Sequence, residues 1–598
     1  MSAHAAQAIR TQSGGRSVQA ATFIRPVLYV ALCCSAATFG AEPGELAVDQ
    51  TIEQSVAPGD TRAFHVSLGE GDYFAATIEQ RGTIVDTTVW EPHGQRLRRF
   101  IPLASGKFNL SFVGAAPGSY RLELTARSGA PAGSYSLKVE KILPAEQLTP
   151  AAPEEKAQSP RIEALRQNPG AGNSNVAAFW TAVSREGTPM IEPLDDKQYL
   201  VTFLWRGEER TRSVRVLWPL RPDREMVMTQ LAGTNLWYKS QAMPRGARFT
   251  YKLAPNIPLL PGSTNPLQAA SATARADPLN PRRWSETPGA SEYEYYSLAE
   301  LPGATPQPWA EVRPEVQRGK VEEFRIASAL LKNERTVAIY TPNGYATNGE
   351  RYPLLVVFDD PVYRDLVPTP TILDNLIAAG RIPPMLAAIV GNPTYESRRA
   401  ELLGSEVFIE FLATELVPWL RARYHLSNDP RRVVVGGSSA GGFTAAYAGL
   451  RHPELFGKIL SQSGSFWWSP TRDPGAPAKL DENSEPAWLL HQFAVSPRLP
   501  LEFYLDAGWF ELGSGPAILD TNRYLRDVLL AKGYAVHHRE FIGGHDYVNW
   551  RGTLADGLLL LMGTGRNAEA TSAPRARSAG RGGSETAGGV PQLRRDLP

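Results

Sequence analysis

A chain of 598 residues is too long for one ordinary domain, and two to four are expected. Its 62 basic residues nearly balance its 61 acidic ones, which argues against a global electrostatic attraction to nucleic acid or anionic lipid. At 42% apolar residues, the chain has material for ordinary packed cores.

The first 41 residues read as an export signal peptide. Arg10, Arg16 and Arg25 precede an apolar run over 27–39, followed by the small residues Gly40 and Ala41. That run is shorter than the roughly 20 apolar residues of a membrane span, so no stable membrane insertion is expected after signal removal. Both cysteines, Cys33 and Cys34, fall inside it. Their removal leaves no thiol for disulfides, zinc ligation or nucleophilic catalysis. A periplasmic or secreted location is the expectation, with the cytoplasm as the alternative.

Residues 42–142 alternate apolar and polar over 62–68, 73–80, 108–113, 120–126 and 135–139, with Gly, Pro and Asp turns between. This pattern predicts a β-sandwich without a catalytic cluster. It loosely resembles the pre-peptidase C-terminal domains appended to exported bacterial hydrolases, which implies an accessory role. Residues 143–170, rich in Pro, Ala and Glu, read as a linker. A second β-rich, immunoglobulin-like domain is expected over 171–300, with a helix at 176–185 and strands at 199–205, 213–219 and 248–253. A Pro-rich hinge at 302–314 opens the region 301–563. There, apolar runs at 337–340, 354–358, 386–390, 432–435 and 501–505 alternate with helical patterns, as a mostly parallel sheet requires. Residues 564–598 are Gly, Ser, Ala and Arg with few large apolar side chains, and predict a disordered tail. The fold class is therefore multidomain, an α/β-hydrolase domain behind two β-rich ones.

The decisive segment runs from Arg432 to Phe443. A β-branched strand enters Gly437-Ser438-Ser439-Ala440-Gly441, which fits G-x-S-x-G, and then a helix. The register selects Ser439 over Ser438, because a nucleophile at 438 would require glycine where Ala440 stands. Strand, turn and helix together carry more weight than a serine N-cap on a Gly-rich turn. The base belongs on the loop after the last strand, and of nine histidines only His545, after Gly543-Gly544, fits that place. The acid should follow an intervening strand, 501–505, where Glu511 is favoured and Asp506 and Asp520 are the alternatives. The oxyanion hole should use the Ala440 N–H and a second N–H near Asp360.

The C-terminal region resembles the enterochelin (ferric enterobactin) esterase family of esterase D-like hydrolases. The matching stretches include Pro370-Thr371-Ile372-Leu373-Asp374-Asn375-Leu376, Arg398 with Glu401-Leu402, Leu460-Ser461-Gln462-Ser463-Gly464-Ser465-Phe466-Trp467-Trp468, and Gly543-Gly544-His545-Asp546 with Trp550-Arg551. The region before it looks like that family's N-terminal domain, through Gly233-Thr234-Asn235-Leu236-Trp237-Tyr238 and Asp277-Pro278-Leu279-Asn280-Pro281. The resemblance implies a serine esterase that opens the ester bonds of a ferric catecholate trilactone siderophore, with Ser439, Glu511 and His545 as its triad. Two departures stand out: Asp359-Asp360 replaces the usual Asp-Gly, and Gly391-Asn392-Pro393 replaces Asp-Asn-Pro.

An anionic aromatic substrate calls for cations and flat apolar faces. Trp467, Trp468, Arg398 and Arg551 are the candidates, against core filling for the tryptophans and surface ion pairing for the arginines. No metal-ligand spacing and no nucleotide fingerprint appear, so no cofactor is expected; iron would arrive inside the substrate. The alternative reading is an exported carbohydrate-ester or feruloyl esterase of the same fold. A non-catalytic binding protein conflicts with the elbow and the Gly-Gly-His loop.

Overall fold

The computed structural model describes residues 44–102, 104–145, 159–167, 172–217, 227–257, 266–285, 289–470, 487–511 and 518–564. The expected signal peptide with its two cysteines, most of the linker and the expected tail beyond 564 lie outside the described residues.

The N-terminal region forms two sheets around one apolar core. The five-stranded sheet runs Gly44–Glu45, Thr61–Leu68, Gly118–Ala126, Val85–Trp90, Arg96–Phe100, and the four-stranded one Thr51–Val56, Gly133–Leu143, Tyr73–Arg81, Gly106–Val113. Strict alternation explains the packing. In Gly118–Ala126, Tyr120, Leu122, Leu124 and Ala126 are buried while their neighbours are half-exposed. Phe74, Ile78, Val66, Val89 and Leu137 meet them from the other strands.

The middle region opens with the helix Gly172–Glu186 and builds two four-stranded sheets. Gln198–Arg206 and Leu236–Pro244 pair antiparallel in one, and Arg248–Pro255 pairs with Tyr296–Glu300 in the other. Phe203, Trp205, Trp237, Phe249 and Tyr251 form the shared core, against which Phe510 and Ile542 of the C-terminal region also pack.

The C-terminal region is an eight-stranded sheet in the order Lys320–Ser328, Asn333–Thr341, Leu386–Gly391, Leu354–Asp360, Val433–Ser438, Lys458–Gln462, Glu502–Gly508, Ala535–Phe541. The first pairings are antiparallel and all later ones parallel. Separate apolar clusters cover the two faces, with Phe443, Phe408 and Phe503 on one and Leu355, Ile372, Trp550 and Leu558 on the other. Central strands buried on both faces need continuous apolar runs, which is why Val433-Val434-Val435 shows no alternation. This is a multidomain, α/β-hydrolase-like chain with a β-rich N-terminal part. Parallel strands direct their carboxyl ends, and the loops that follow, to one edge of the sheet, and the candidate site is assembled there.

Candidate active site

Ser439 stands between the strand Val433–Ser438 and the helix Ala440–Arg451, with φ +57° and ψ −119°. A non-glycine residue in this strained region persists only where its surroundings enforce it. Here the Ser439 N–H donates to Gln462 O at 2.9 Å, and Ser439 O accepts from the Ser465 N–H at 2.9 Å. The turn closes tightly enough that a Cβ on Gly437 would come within 3.0 Å of the Gly441 backbone. Ser439 Oγ lies 3.3 Å from Ser465 Oγ, and the Ala440 N–H begins the helix beside it. Ser438, in contrast, is the buried last residue of the strand.

His545 Nδ1 donates to Glu511 Oε1 at 2.9 Å, since an ionised carboxylate can only accept. This tautomer leaves Nε2 able to accept a proton. Glu511 is held in turn: its Oε2 accepts the Gly508 N–H at 2.9 Å, and its side chain is 2% exposed against 33% for His545. The alternative acids are placed differently. Asp506 is fully buried, burial pushes its carboxyl up to about 8, and its Oδ1 accepts the Ser463 N–H. A carboxyl whose ionisation burial disfavours is poorly suited to stabilise an imidazolium. Asp520 pairs with Arg523 on a half-exposed helix face.

Trp550 links the serine side of the site to the histidine side. Its ring stands edge-on to His545 with centroids 4.7 Å apart, and its Nε1–H donates to Ser463 Oγ at 3.0 Å. Gln462, fully buried, donates to Trp550 O at 2.8 Å and to Thr553 Oγ1 at 2.6 Å, and accepts from the Tyr363 hydroxyl at 2.7 Å. The elbow and the helix Tyr547–Met562, which follows His545, are therefore tied by the residue that also receives the Ser439 N–H. Asp546 caps that helix through Val548 N–H, and its Oδ2 accepts from Thr250 Oγ1 of the middle region at 2.6 Å. The Arg248 N–H donates to Ile542 O on the same loop at 3.0 Å.

The other predicted site residues divide. Arg398 does come beside the elbow: its Nε and an NH2 group clamp Asp359 at 2.5 and 2.8 Å, and Asp359 Oδ2 lies 3.9 Å from the point where a Gly441 Cβ would stand. Its charge is thus largely matched by Asp359 rather than held open for a ligand. The adjacent carboxylates of Asp359 and Asp360 have different partners. Asp359 takes φ +66° in a bulged stretch, which turns the two carboxylates apart. Asp360 is buried against Arg364 at 3.4 Å, and burial pushes it up to about 6 despite that arginine.

Arg551 has partners of its own. It lies one residue, about 100° of helix rotation, beyond Trp550. Its Nε donates to Gln307 Oε1 at 2.6 Å, its guanidinium stacks over Trp284 at 4.6 Å, and it lines a 450 Å³ cavity with Arg248 and Tyr504. Trp468 packs edge-on against Phe443 and Trp488, so it braces the elbow helix; Trp467 is half-buried beside it. Among the described residues, no group of three or more His, Cys, Asp or Glu is placed to hold a metal.

Sequence reasoning gave no role to Gln462, Ser465, Asp359, Thr250 or Trp550. Gln462 ends the strand Lys458–Gln462 and Ser465 follows it closely, a position that signals the sheet edge. Thr250 carried no signal at all.

A putative esterase family model matches residues 328–561, and an enterochelin esterase N-terminal model matches residues 200–310. An iron(III) enterobactin esterase of Dickeya dadantii (strain 3937) is 30% identical over 457 residues, covering 69% of this chain and 98% of the relative. The iron(III) enterobactin esterase of Escherichia coli (strain K12) is 31% identical over 392 residues, covering 62% of this chain and 93% of the relative. Among solved structures, the enterobactin esterase of Shigella flexneri in the presence of enterobactin matches with a TM-score of 0.52 at 30% identity, covering 64% of this chain and 97% of that one.

Proposed function

Since this chain belongs to the enterochelin esterase family, we propose that it hydrolyses the ester bonds of a ferric catecholate trilactone siderophore of the enterobactin type. It is a carboxylic ester hydrolase. The observation that carries the substrate reading is coverage. Both the esterase region and the region before it match, and relatives named for iron(III) enterobactin are covered over 98% and 93% of their length. A feruloyl or carbohydrate esterase reading explains the catalytic fold but leaves the matched N-terminal region without a reason.

In this mechanism Ser439 Oγ attacks an ester carbonyl while His545 Nε2 takes its proton. Glu511 holds the ring in the required tautomer and stabilises the imidazolium. The Ala440 N–H and a second N–H from the Asp359–Asp360 turn receive the oxyanion. Collapse breaks the substrate's ester C–O bond and expels its alkoxide, which takes the proton from His545, leaving the acyl group on Ser439 Oγ. Water then hydrolyses the acyl-enzyme by the same steps, releasing the acid and restoring Ser439. Iron belongs to the substrate throughout.

We further read residues 42–142 as a β-sandwich accessory domain, the region 171–300 as immunoglobulin-like, and the first 41 residues as an export signal with a periplasmic destination. Two sheets around one core support the first reading, and the arginine-flanked apolar run supports the export reading. Among the described residues no helix is long and apolar enough to cross a membrane. A panel of ferric enterobactin, its linear esters and feruloyl sugars, resolved by chromatography, tests the substrate. Preferential release of 2,3-dihydroxybenzoylserine is expected, whereas preference for feruloyl sugars would replace the reading. Mass spectrometry of the processed chain should find a mature start near residues 37–42; a full-length product would refute export.

A further inference from the structure

The N-terminal region 44–145 lies outside both family models, which begin at residue 200. It nevertheless reaches the candidate active site. Ser105 and Thr394 form a parallel β-bridge, the Tyr395 N–H donates to Ser105 O at 3.3 Å, and Ser105 Oγ donates to Pro393 O at 3.4 Å. Two residues on, the Lys107 N–H donates to Glu396 Oε1 at 3.3 Å. Gly106 sits between them at φ +111°, so close that an added Cβ would overlap the Glu396 carboxylate.

These contacts fall on the first turn of the short helix Tyr395–Glu401 and on the two residues before it, including its N-cap Thr394. Its far end is fixed in the core, where Glu401 pairs with buried Arg335 at 2.8 Å and accepts from Asn392 at 2.5 Å. Arg398 lies between the two anchors and clamps Asp359, whose carboxylate borders the elbow glycine Gly441. A seven-residue helix is too short to hold itself in place. A Thr394–Ser397 capping box closes its near end, and the loop 104–107 is what packs against that end from outside.

We propose that the N-terminal β-rich region is a positioning element of the ester site: its loop 104–107 fixes the helix Tyr395–Glu401 and, through Arg398 and Asp359, the oxyanion side of the Ser439 elbow. The role is positional, since none of these N-terminal residues touches Ser439 or His545. The inference rests on the reading of Ser439 as the nucleophile, but not on which ester is the substrate.

The test measures how fast a fluorophosphonate labels Ser439 in the full-length protein, forming the Ser Oγ–P bond as fluoride leaves and His545 accepts the proton. Glu396→Ala and Gly106→Ala each cut the same contact, and each should slow labelling about three- to fivefold; Glu396→Ala should leave the melting temperature nearly unchanged, whereas Gly106→Ala, which forces a side chain into φ +111°, should lower it. The double variant should lose no more than the worse single one, because a contact can be cut only once. Glu396→Gln keeps an acceptor for the Lys107 N–H and should label within twofold of wild type. Wild-type rates in both single variants, or losses that multiply in the double one, would overturn the proposal. A wild type that labels at a serine other than Ser439 would instead overturn the reading on which it rests, a distinguishable failure.

Discussion

Thr250 Oγ1 donates a 2.6 Å hydrogen bond to Asp546 Oδ2, so the middle β-rich region grips the residue directly after the candidate general base. Asp546 also caps the helix that presents Trp550 to His545. Thr250→Val keeps the shape and removes the hydroxyl, leaving the half-buried Asp546 carboxyl group one partner short, at a cost of about 1–2 kcal/mol. With a small aryl ester we expect kcat to fall about fivefold, equivalent to about 1 kcal/mol, and KM to stay within twofold. Thr250→Ser should recover most of the loss. A KM effect alone, or no recovery by serine, would indicate that the bond only supports folding.

Glu511 and Asp506 can be separated by substitution and by pH. Glu511→Gln should lower kcat by about three to four orders of magnitude, as expected for losing the acid of a triad, with little change in KM. Asp506→Asn should keep most activity at pH 7, because burial already holds Asp506 neutral there. Its folded-state value of about 8 stands above the ordinary 3.8. The native state therefore binds the extra proton between those values, and the Asp506 contribution to stability declines as pH rises through that window. Asn does not titrate, so the variant should gain stability relative to wild type from pH 4 to pH 8 in denaturant melts. A flat difference across that range would contradict the assignment.

Arg398 and Asp359 should behave as a pair. Arg398→Ala leaves the Asp359 carboxylate, 7% exposed, without its partner, and should destabilise the protein by on the order of 2–3 kcal/mol. The kcat for a neutral aryl ester should fall as well, because the turn bearing Asp359 borders the elbow. The double variant Arg398→Ala, Asp359→Asn should be less damaged than Arg398→Ala alone. An arginine that serves only to attract an anionic substrate would instead raise KM for that substrate and leave the neutral ester and the melting temperature unaffected.

Much of this arrangement was legible in the sequence because its chemistry is local. Gly437-Ser438-Ser439-Ala440-Gly441 carries its own strand, turn and helix, and Gly543-Gly544-His545 ends the last strand pattern. Central strands such as Leu354–Asp360 announce themselves by unbroken apolar runs. The edge strand Lys320–Ser328 does not, since only Ile326 and Ser328 are buried and the rest is exposed or half-exposed. The partners of Arg551 were hidden because adjacency to Trp550 says nothing about which helix face a residue occupies. Thr250 was invisible for a different reason: 296 residues separate it from Asp546, and no local pattern encodes a contact between regions. The direction of the Asp360 carboxylate depended on a left-handed residue at Asp359, which residue type alone does not announce.

The central claim is that Ser439 carries the hydrolysis of a ferric catecholate trilactone. The most direct measurement compares turnover of ferric enterobactin by wild type, Ser439→Ala and Ser438→Ala at matched folding, judged by melting temperature. Wild type should release linear dihydroxybenzoylserine esters, and Ser438→Ala should keep most of that rate. Ser439→Ala should fall by about six orders of magnitude, to the detection limit, because losing the nucleophile leaves only binding and the oxyanion hole. Turnover by Ser439→Ala at a rate near wild type, or no turnover of ferric enterobactin by a folded wild type, would contradict the account.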